Sequence, residues 1–165
     1  MNDVIRIGNC SGFYGDRLDA AREMVEGGPI DVLTGDYLAE LTMSILYNQQ
    51  QTRGEDTGYV GTFLKQVQDV AALCSEKNIK IVSNAGGLNP RSMALEVEKI
   101  LEALGLDLKV AYIDGDNLLP DLDQLQSDGE SFTNLDTQQH LKDSDQKALT
   151  ANASLGGRGI KEALD

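Results

Sequence analysis

The sequence predicts an α/β fold, and two observations carry the prediction. Short apolar segments typical of strands alternate with longer segments whose apolar residues recur at helical spacing. Each strand-like segment also ends in a turn rich in Gly, Asn and Asp. Strands and helices in regular alternation favour a parallel sheet with helices on both faces. We therefore predict a Rossmann-like three-layer domain with a mainly parallel sheet of at least four strands.

The four predicted strands are short and rich in β-branched residues. They are Val4–Ile7, Ile30–Leu33, Ile79–Val82 and Val110–Ile113.

Two predicted helices lie between the first strand and the polar connection "QQQTRGEDTG". The first has apolar residues at helical spacing, namely Leu18, Ala21 and Val25. The second is expected to place one apolar side against the core, formed by Leu38, Leu41 and Ile45.

The third predicted helix has the clearest amphipathic pattern in the chain. Seven apolar positions form one stripe, which we interpret as core: Val60, Phe63, Leu64, Val67, Val70, Ala71 and Cys74. Lys77 and Asn78 are expected to end this helix.

The fourth predicted helix has recognisable start and stop signals. Asn89 is a suitable N-cap, Pro90 suits the first helical position, and Gly105 is expected to end the helix. Its predicted buried face consists of Met93, Val97, Ile100, Leu101 and Leu104.

The pattern weakens over residues 117–150, which we interpret as an excursion from a single α/β domain spanning residues 1–165. "LLPDLDQLQSDG" is expected to form a short helix, and the polar segment after it a small hairpin or a mobile loop. "ANASLGGRGIKEALD" is typical of a loop followed by the first turns of a helix.

Composition narrows the classes of partner. The chain has 165 residues and a formal net charge of -13, so it lacks the basic footprint that nucleic acid requires. No apolar run reaches the length of a membrane span, and the first residues do not resemble a signal peptide, so we expect a cytoplasmic protein without membrane contact. Its two cysteines are expected to be free thiols.

Functional residues are expected where the predicted strands end, because the carboxyl ends of parallel strands meet at one edge and ligands bind there. Five segments reach this edge: "GNCSGFYGD", "TGDY", "SNAGGLNP", "DGDN" and "ANASLGGRG". The predicted ligand-binding residues are Asn9, Ser11, Gly12, Asp36, Tyr37, Asn84, Gly86, Gly87, Asn89, Arg91, Asp114 and Asp116.

The segment "NAGGLNPRS" has two interpretations. Gly86, Gly87 and Asn89 would let an anion approach the backbone at a helix N-terminus, and Arg91 adds a positive charge. Alternatively, the glycines only form a tight turn and Asn89 only caps the helix.

Other reactive side chains have a structural alternative as well. Cys10 or Ser11 lies at a strand end, where a nucleophile could be placed. The structural expectation is that Cys10 is buried and that Ser11 forms a turn. His140 is expected to be a solvated loop residue. Four carboxylates lie near the predicted edge: Asp16, Asp36, Asp114 and Asp116. They would suit Mg²⁺ or proton transfer, or they would only favour helix starts and turns. We assign no catalytic residue, metal or cofactor. Tyr14 and Tyr37 are expected to line a pocket or to pack.

Taken together, these motifs resemble the acyclic terpene utilisation proteins of the AtuA type. The segments that carry the resemblance follow one another over nearly the whole chain and include "IGNCSGFYGDRLDAAREMVEGGPIDVLTGDYLAELTM", "GYVGTFLKQVQDVAALCSEKNIKIVSNAGGLNP", "GDNLLP", "NLD" and "ANASLGGRGIKEAL". The resemblance implies a cytoplasmic protein of branched isoprenoid acid catabolism, in which the intermediates are acyl-CoA thioesters. It also implies a longer architecture, of which these residues form the N-terminal part.

Two functions follow from the resemblance and the predicted edge. The first is a ligand-binding enzyme domain that takes a small, acyl-CoA-like molecule. The alternative is a non-catalytic assembly or accessory domain that contacts a CoA-processing partner. A homo-oligomer is expected in either case, because a short α/β chain leaves an apolar sheet edge or face exposed.

Overall fold

A computed structural model describes residues 4–145 and 147–165. The chain divides into two compact units, one ending at Ile113 and one spanning Asp114–Asp165. Each unit is described by itself.

The first unit contains a parallel sheet of three strands: β1 (Ile7–Asn9), β2 (Val32–Gly35) and β3 (Lys80–Ser83). Their order is β1-β2-β3, and Ile7 pairs with Val32, which pairs with Lys80. The predicted α/β class and parallel sheet are therefore confirmed. Each observed strand begins one to three residues later than predicted, closer to its polar turn.

The predicted fourth strand was wrong within the described residues. Val110–Ile113 takes part in no strand pairing, although Val110 packs against the larger buried cluster of the unit. Strand-forming composition alone does not make a ladder, since the backbone needs a partner edge in register. A sheet of four or more strands is thus not confirmed.

Four helices complete the first unit: α1 (Ala20–Gly27), α2 (Glu40–Arg53), α3 (Gly61–Lys77) and α4 (Pro90–Ala103). Helix α3 packs against α1 on one side and α4 on the other. The predicted capping is confirmed at α4, where the Asn89 side chain accepts a hydrogen bond from Ser92 N and Pro90 occupies the first turn. Gly105 follows α4 with a φ of 68°.

The core consists of two clusters of buried side chains. The larger cluster draws on α2, α3, α4 and the strand ends: Tyr37, Leu46, Val60, Phe63, Val67, Ala71, Ala85, Val97 and Leu101. The smaller cluster joins α1, β2 and α3: Cys10, Ala21, Val25, Leu33, Val70, Cys74 and Ile79. The predicted stripe on α3 is confirmed, since six of its seven residues are buried and Leu64 packs against them.

Of the apolar side predicted for α2, Leu38 packs against the larger cluster, but the prediction was wrong for Leu41 and Ile45. Thr42 and Leu46 are the buried residues, whereas Leu41 and Ile45 are exposed. The side of α2 that faces the core differs from the predicted one, because Leu46 packs beside Gly87. Helical spacing does not encode such a long-range contact.

On α4, Val97 and Leu101 are buried as predicted, and Met93 and Ile100 pack against the larger cluster. The prediction was wrong for Leu104, which is 41% exposed at the end of the helix.

Within the first unit, the helices cover one face of the sheet. The row Gly8, Leu33 and Ile81 faces the helices, because Leu33 and Ile81 contact the clusters and a Cβ on Gly8 would meet Met24 of α1. Neither cluster of the described residues includes the side chains of the opposite face: Ile7, Asn9, Val32, Thr34, Lys80 and Val82. The three-layer arrangement is therefore not confirmed.

The second unit has two short helices, α5 (Leu122–Ser127) and α6 (Arg158–Leu164). An antiparallel bridge joins Thr133 to His140, as in the predicted small hairpin. Gln146, within the predicted excursion, lies outside the described residues. No helix of the described residues is long and apolar enough to cross a bilayer.

Candidate functional site

The loops after the three strands lie at one edge of the sheet and are joined by hydrogen bonds. We name them loop one (Cys10–Asp16), loop two (Asp36–Ala39) and loop three (Asn84–Asn89). Cys10 N donates to Thr34 O at 2.8 Å, and Asp36 N donates to Ser11 O at 3.0 Å. Parallel pairing thus brings loop one against loop two, as the sequence predicted.

Loop two and loop three meet through Asn84. Its Oδ1 accepts from Tyr37 N at 2.9 Å, and its Nδ2 donates to Asp36 Oδ1 at 2.6 Å. Ser83 Oγ, one residue earlier, donates to Gly35 O at 3.1 Å. Six of the predicted ligand-binding residues therefore lie at this edge, each either in one of these hydrogen bonds or next to such a residue in the chain. They are Asn9, Ser11, Gly12, Asp36, Tyr37 and Asn84.

An open groove of about 600 Å³ begins at loop one and continues along α1. Three predicted ligand-binding residues, Asn9, Ser11 and Gly12, line it together with Cys10. Its other lining residues are Asp16, Arg17, Ala20, Glu23, Met24, Gly27 and Gly28. Because Ala20, Met24 and Gly27 follow one another at helical spacing, α1 presents a small and apolar side to the groove.

The other end of the groove is polar and charged. Asp16 accepts hydrogen bonds from Gly12 N at 3.0 Å and Arg17 N at 2.8 Å, and these backbone donors lower the pKa of its carboxyl group. The Arg17 guanidinium bonds Asp19 and Glu23 at 3.0 and 2.5 Å. The charged groups here are thus held in place by one another.

A buried polar pair beneath loop one was missed by the sequence analysis. Tyr37 OH donates to Gln66 Oε1 at 2.5 Å, and Gln66 Nε2 donates to Arg17 O at 3.2 Å. Both side chains are almost fully buried, at 2% and 4% exposure, and burial raises the pKa of Tyr37. A polar residue at a core-facing position of the α3 stripe was the signal that could have found Gln66.

Loop three is closely packed against the rest of the protein. A Cβ on Gly86 would lie 2.7 Å from Pro90 Cβ, and one on Gly87 would overlap Leu46 and lie 2.9 Å from Gly58 O. The N–H groups of Gly87, Leu88 and Asn89 donate to the carbonyls of Asn84, Gly58 and Gly86. These donors, which an anion would use, are therefore already bonded within the protein.

The remaining predicted residues of this region differ in exposure and bonding. Asn89 caps α4 with Oδ1, and its Nδ2 donates to Glu55 O at 2.8 Å. Arg91 is exposed and has no side-chain hydrogen bond or ion pair among the described residues.

Asp114 and Asp116 lie in the second unit, where Asp116 takes part in a local structure. Asn152 Nδ2 donates to Asp116 Oδ2 at 2.9 Å, and Ala153 N donates to Asp116 O at 2.8 Å. His140 is partly buried, with its Nδ1 at 2.9 Å from Thr133 Oγ1.

The candidate nucleophiles are buried. Cys10 and Cys74 are free thiols, as predicted, and burial raises the pKa of Cys10 and raises that of Cys74 to about 11. Ser11 is buried and its hydroxyl donates to Phe13 O at 3.1 Å. The described residues contain no group of three or more His, Cys, Asp or Glu side chains placed to hold a metal ion.

The fold and the edge define a class: a parallel α/β protein with a groove at the end of its first strand. The particular family follows from the sequence, since the family model described as acyclic terpene utilisation family protein AtuA matches residues 5–165. The chain belongs to this family, which confirms the resemblance. No significant match is found among curated proteins or among solved structures.

Proposed function

We propose that the first unit binds a branched isoprenoid acyl thioester in the groove between loop one and α1. The family is one of acyclic terpene utilisation, and the groove is the observation that carries the proposal. Its volume of about 600 Å³ falls within the range of roughly 300–1,000 Å³ that is usual for small-molecule sites.

The two ends of the groove match the two parts of such a ligand. The small and apolar side of α1, formed by Ala20, Met24 and Gly27, suits a branched hydrocarbon chain. The polar end, with the Asn9 side chain, suits the thioester carbonyl.

The other predicted residues enter the proposal with different roles. Asn84 and Asp36 hold the three loops together, and Arg91 is the exposed cation of loop three. The ligand-binding role of Asp114 and Asp116, which belong to the second unit, stays a separate prediction. The internal bonds of Gly86, Gly87 and Asn89 favour the structural interpretation of that turn over the anion cradle.

Thermal unfolding with added thioesters tests the proposal. A branched isoprenoid acyl-CoA at one hundred times its dissociation constant should stabilise the chain by about 2.7 kcal/mol. At the same concentration, free CoA and a straight-chain acyl-CoA should stabilise the chain less. They should bind more weakly because they fill the apolar side of the groove poorly. Equal shifts with all three ligands would contradict recognition of the branched chain.

A groove-filling variant locates the binding. Gly27→Leu places a side chain into the groove, where an added Cβ meets no atom within 4 Å. We expect it to abolish the thioester-induced shift. Gly61→Leu is the matched control, since Gly61 also has open space around it but lies on α3, away from the groove. A shift that survives Gly27→Leu would place the ligand elsewhere, and loss of the shift in both variants would contradict a specific effect of the groove.

The alternative function, an assembly domain that contacts a CoA-processing partner, is favoured by the exposed apolar residues at the start of β1, where Ile7 is 66% exposed. It predicts that no thioester changes the unfolding temperature.

A further inference from the structure

We infer that Met24 determines the length of the hydrocarbon chain that the groove accepts, and that Gly8 sets the position of the Met24 side chain. The inference rests on the proposed function, because it names the residue that would contact the acyl chain of the bound thioester. Three observations on the first unit support it: the contacts of the Met24 side chain, the absence of a Cβ on Gly8, and the polar contacts that hold α1 in place.

Met24 lies between the protein core and the open groove. On one side, its side chain packs against the smaller buried cluster. On the other, it lines the groove with Ala20 and Gly27, which precede and follow it at helical spacing. Among the lining residues that the structure describes, Met24 is the one with a large apolar side chain. The volume that it occupies therefore limits the room left for an apolar ligand.

Methionine suits this position because its side chain is unbranched and adaptable. Three rotatable bonds and a polarizable sulfur allow it to follow an irregular apolar surface. Its neighbours on α1 are small, since Ala20 ends at Cβ and Gly27 has no side chain. The shape of the apolar side of the groove thus depends on where the Met24 side chain lies.

Gly8 gives the Met24 side chain its space at the sheet. Gly8 is the central residue of β1 and pairs with Leu33 of β2. A Cβ on Gly8 would lie 2.7 Å from Met24 Cγ, 2.8 Å from Met24 Sδ and 3.1 Å from Ile30 Cγ2. Glycine inside a strand often marks a position that another group approaches closely. Here that group is the Met24 thioether, which lies against the strand because the Cβ is missing.

Polar contacts with α3 hold the backbone of α1 before and after Met24. Arg22 forms a bidentate ion pair with Asp69, at 2.9 Å for Nε–Oδ2 and 2.5 Å for Nη2–Oδ1. Lys77 Nζ donates to Val25 O at 2.7 Å. These contacts fix α1 relative to α3, so the Met24 side chain yields more easily than the helix backbone.

Substitutions at the two residues should change the groove in opposite directions. Met24→Ala removes the thioether and enlarges the apolar space, so longer chains should fit. Gly8→Ala adds a methyl group that displaces the thioether toward the groove, which is the open space beside it, so longer chains should be excluded. Gly8 has no positive φ, so its backbone suits alanine as well.

Calorimetric titration with a chain-length series tests the inference. The probes are methyl-branched acyl-CoA thioesters that differ by one methylene each. In the native protein we expect the affinity to rise roughly fourfold with each methylene up to a limiting length, and to fall beyond it. Met24→Ala should move this limit to longer chains and Gly8→Ala to shorter ones. Met43→Ala is the matched control, because Met43 is also partly buried but lies on α2 and does not line the groove, and it should leave the limit unchanged.

The double variant with both Gly8→Ala and Met24→Ala separates displacement of the thioether from distortion of β1. With no thioether to displace, the methyl group at position 8 should no longer shorten the limit. A limit that stays short in the double variant would contradict the role of Gly8. An unchanged limit in Met24→Ala would overturn the inference and leave the groove proposal standing, provided that the native chain binds the series. A native chain that binds no thioether-contacting ligand of the series would overturn both.

Oxidation of the methionines tests the contact with the ligand in the native chain. Dilute hydrogen peroxide converts a methionine thioether to the sulfoxide and is itself reduced to water. A saturating branched acyl-CoA should slow this reaction several-fold at Met24 and leave the rate at Met43 unchanged, as mass spectrometry of peptides measures. An equal rate at Met24 with and without a thioester that stabilises the protein would show that the acyl chain does not contact Met24.

Discussion

Loop one and loop three are both polar, glycine-containing turns at the carboxyl end of a strand, yet they are built differently. Loop one borders an open groove, and its Gly12 has no atom within 4 Å of an added Cβ. Loop three is folded onto Gly58, Leu46 and Pro90, and its backbone donors are bonded internally. The comparison teaches that one sequence signal can have two physical causes, ligand access and close packing.

Substitution of the two glycines should give the largest difference between the loops. Gly87→Ala combines a φ of 54° with overlap against Leu46, so we expect a loss of about 2–4 kcal/mol in the free energy of unfolding. Gly12→Ala should change it by less than about 0.5 kcal/mol. Urea unfolding measures both.

Gly105→Ala separates the two contributions at Gly87. Gly105 has a φ of 68° but nothing within 4 Å of an added Cβ, so it should lose only about 1–2 kcal/mol. Similar losses for Gly87→Ala and Gly105→Ala would show that loop three is less tightly packed than its contacts indicate.

The buried pair beneath loop one should have the next largest effect. Tyr37→Phe leaves Gln66 Oε1 without its donor in the core, which should cost about 1–3 kcal/mol. Gln66→Met alone should also destabilise, while the double variant should lose less than the sum, because both unpaired groups are then removed. Additive losses in urea unfolding would mean that the two side chains do not interact.

The junction between loop two and loop three should contribute less, because Asn84 is exposed. Asn84→Ala removes the acceptor of Tyr37 N and the donor to Asp36, and we expect a loss of about 1 kcal/mol. Asn48→Ala serves as control, since the exposed Asn48 side chain has no hydrogen bond among the described residues. An Asn84 variant as stable as the control would show that the loops hold together without this residue.

Acid should loosen loop one before loop three. The pKa of Asp16 is lowered by the N–H groups of Gly12 and Arg17, so its stabilising contribution is complete above the unfolded value of about 3.9 and is lost as the pH falls through the folded pKa. Below about pH 4 we expect faster hydrogen exchange at the Gly12 and Arg17 amides than at neutral pH after correction for intrinsic rates. The Gly87 and Leu88 amides, which donate to carbonyls, should change less. Asp16→Asn should abolish the difference.

Local sequence patterns predicted much of the first unit. The α3 stripe, the Asn89 cap, the parallel sheet and the shared edge of the three loops all follow from residue types and spacing. Asn9, Ser11 and Gly12 line an open groove because they follow a strand directly, and their ligand-binding role stays a prediction. Gln66 was missed because its core-facing position does not reveal the buried partner, Tyr37, that makes a polar side chain acceptable there.

The sequence alone determined three strands of the first unit, their helices, their parallel direction and the membership of the chain in the AtuA family, since neighbouring residues set periodicity, capping and motif order. Only the tertiary structure decided which side of α2 is buried, which glycines are packed and which face of the sheet the helices cover. Each of these depends on contacts between residues far apart in the chain, such as Leu46 with Gly87, and such contacts leave no periodic pattern in the sequence.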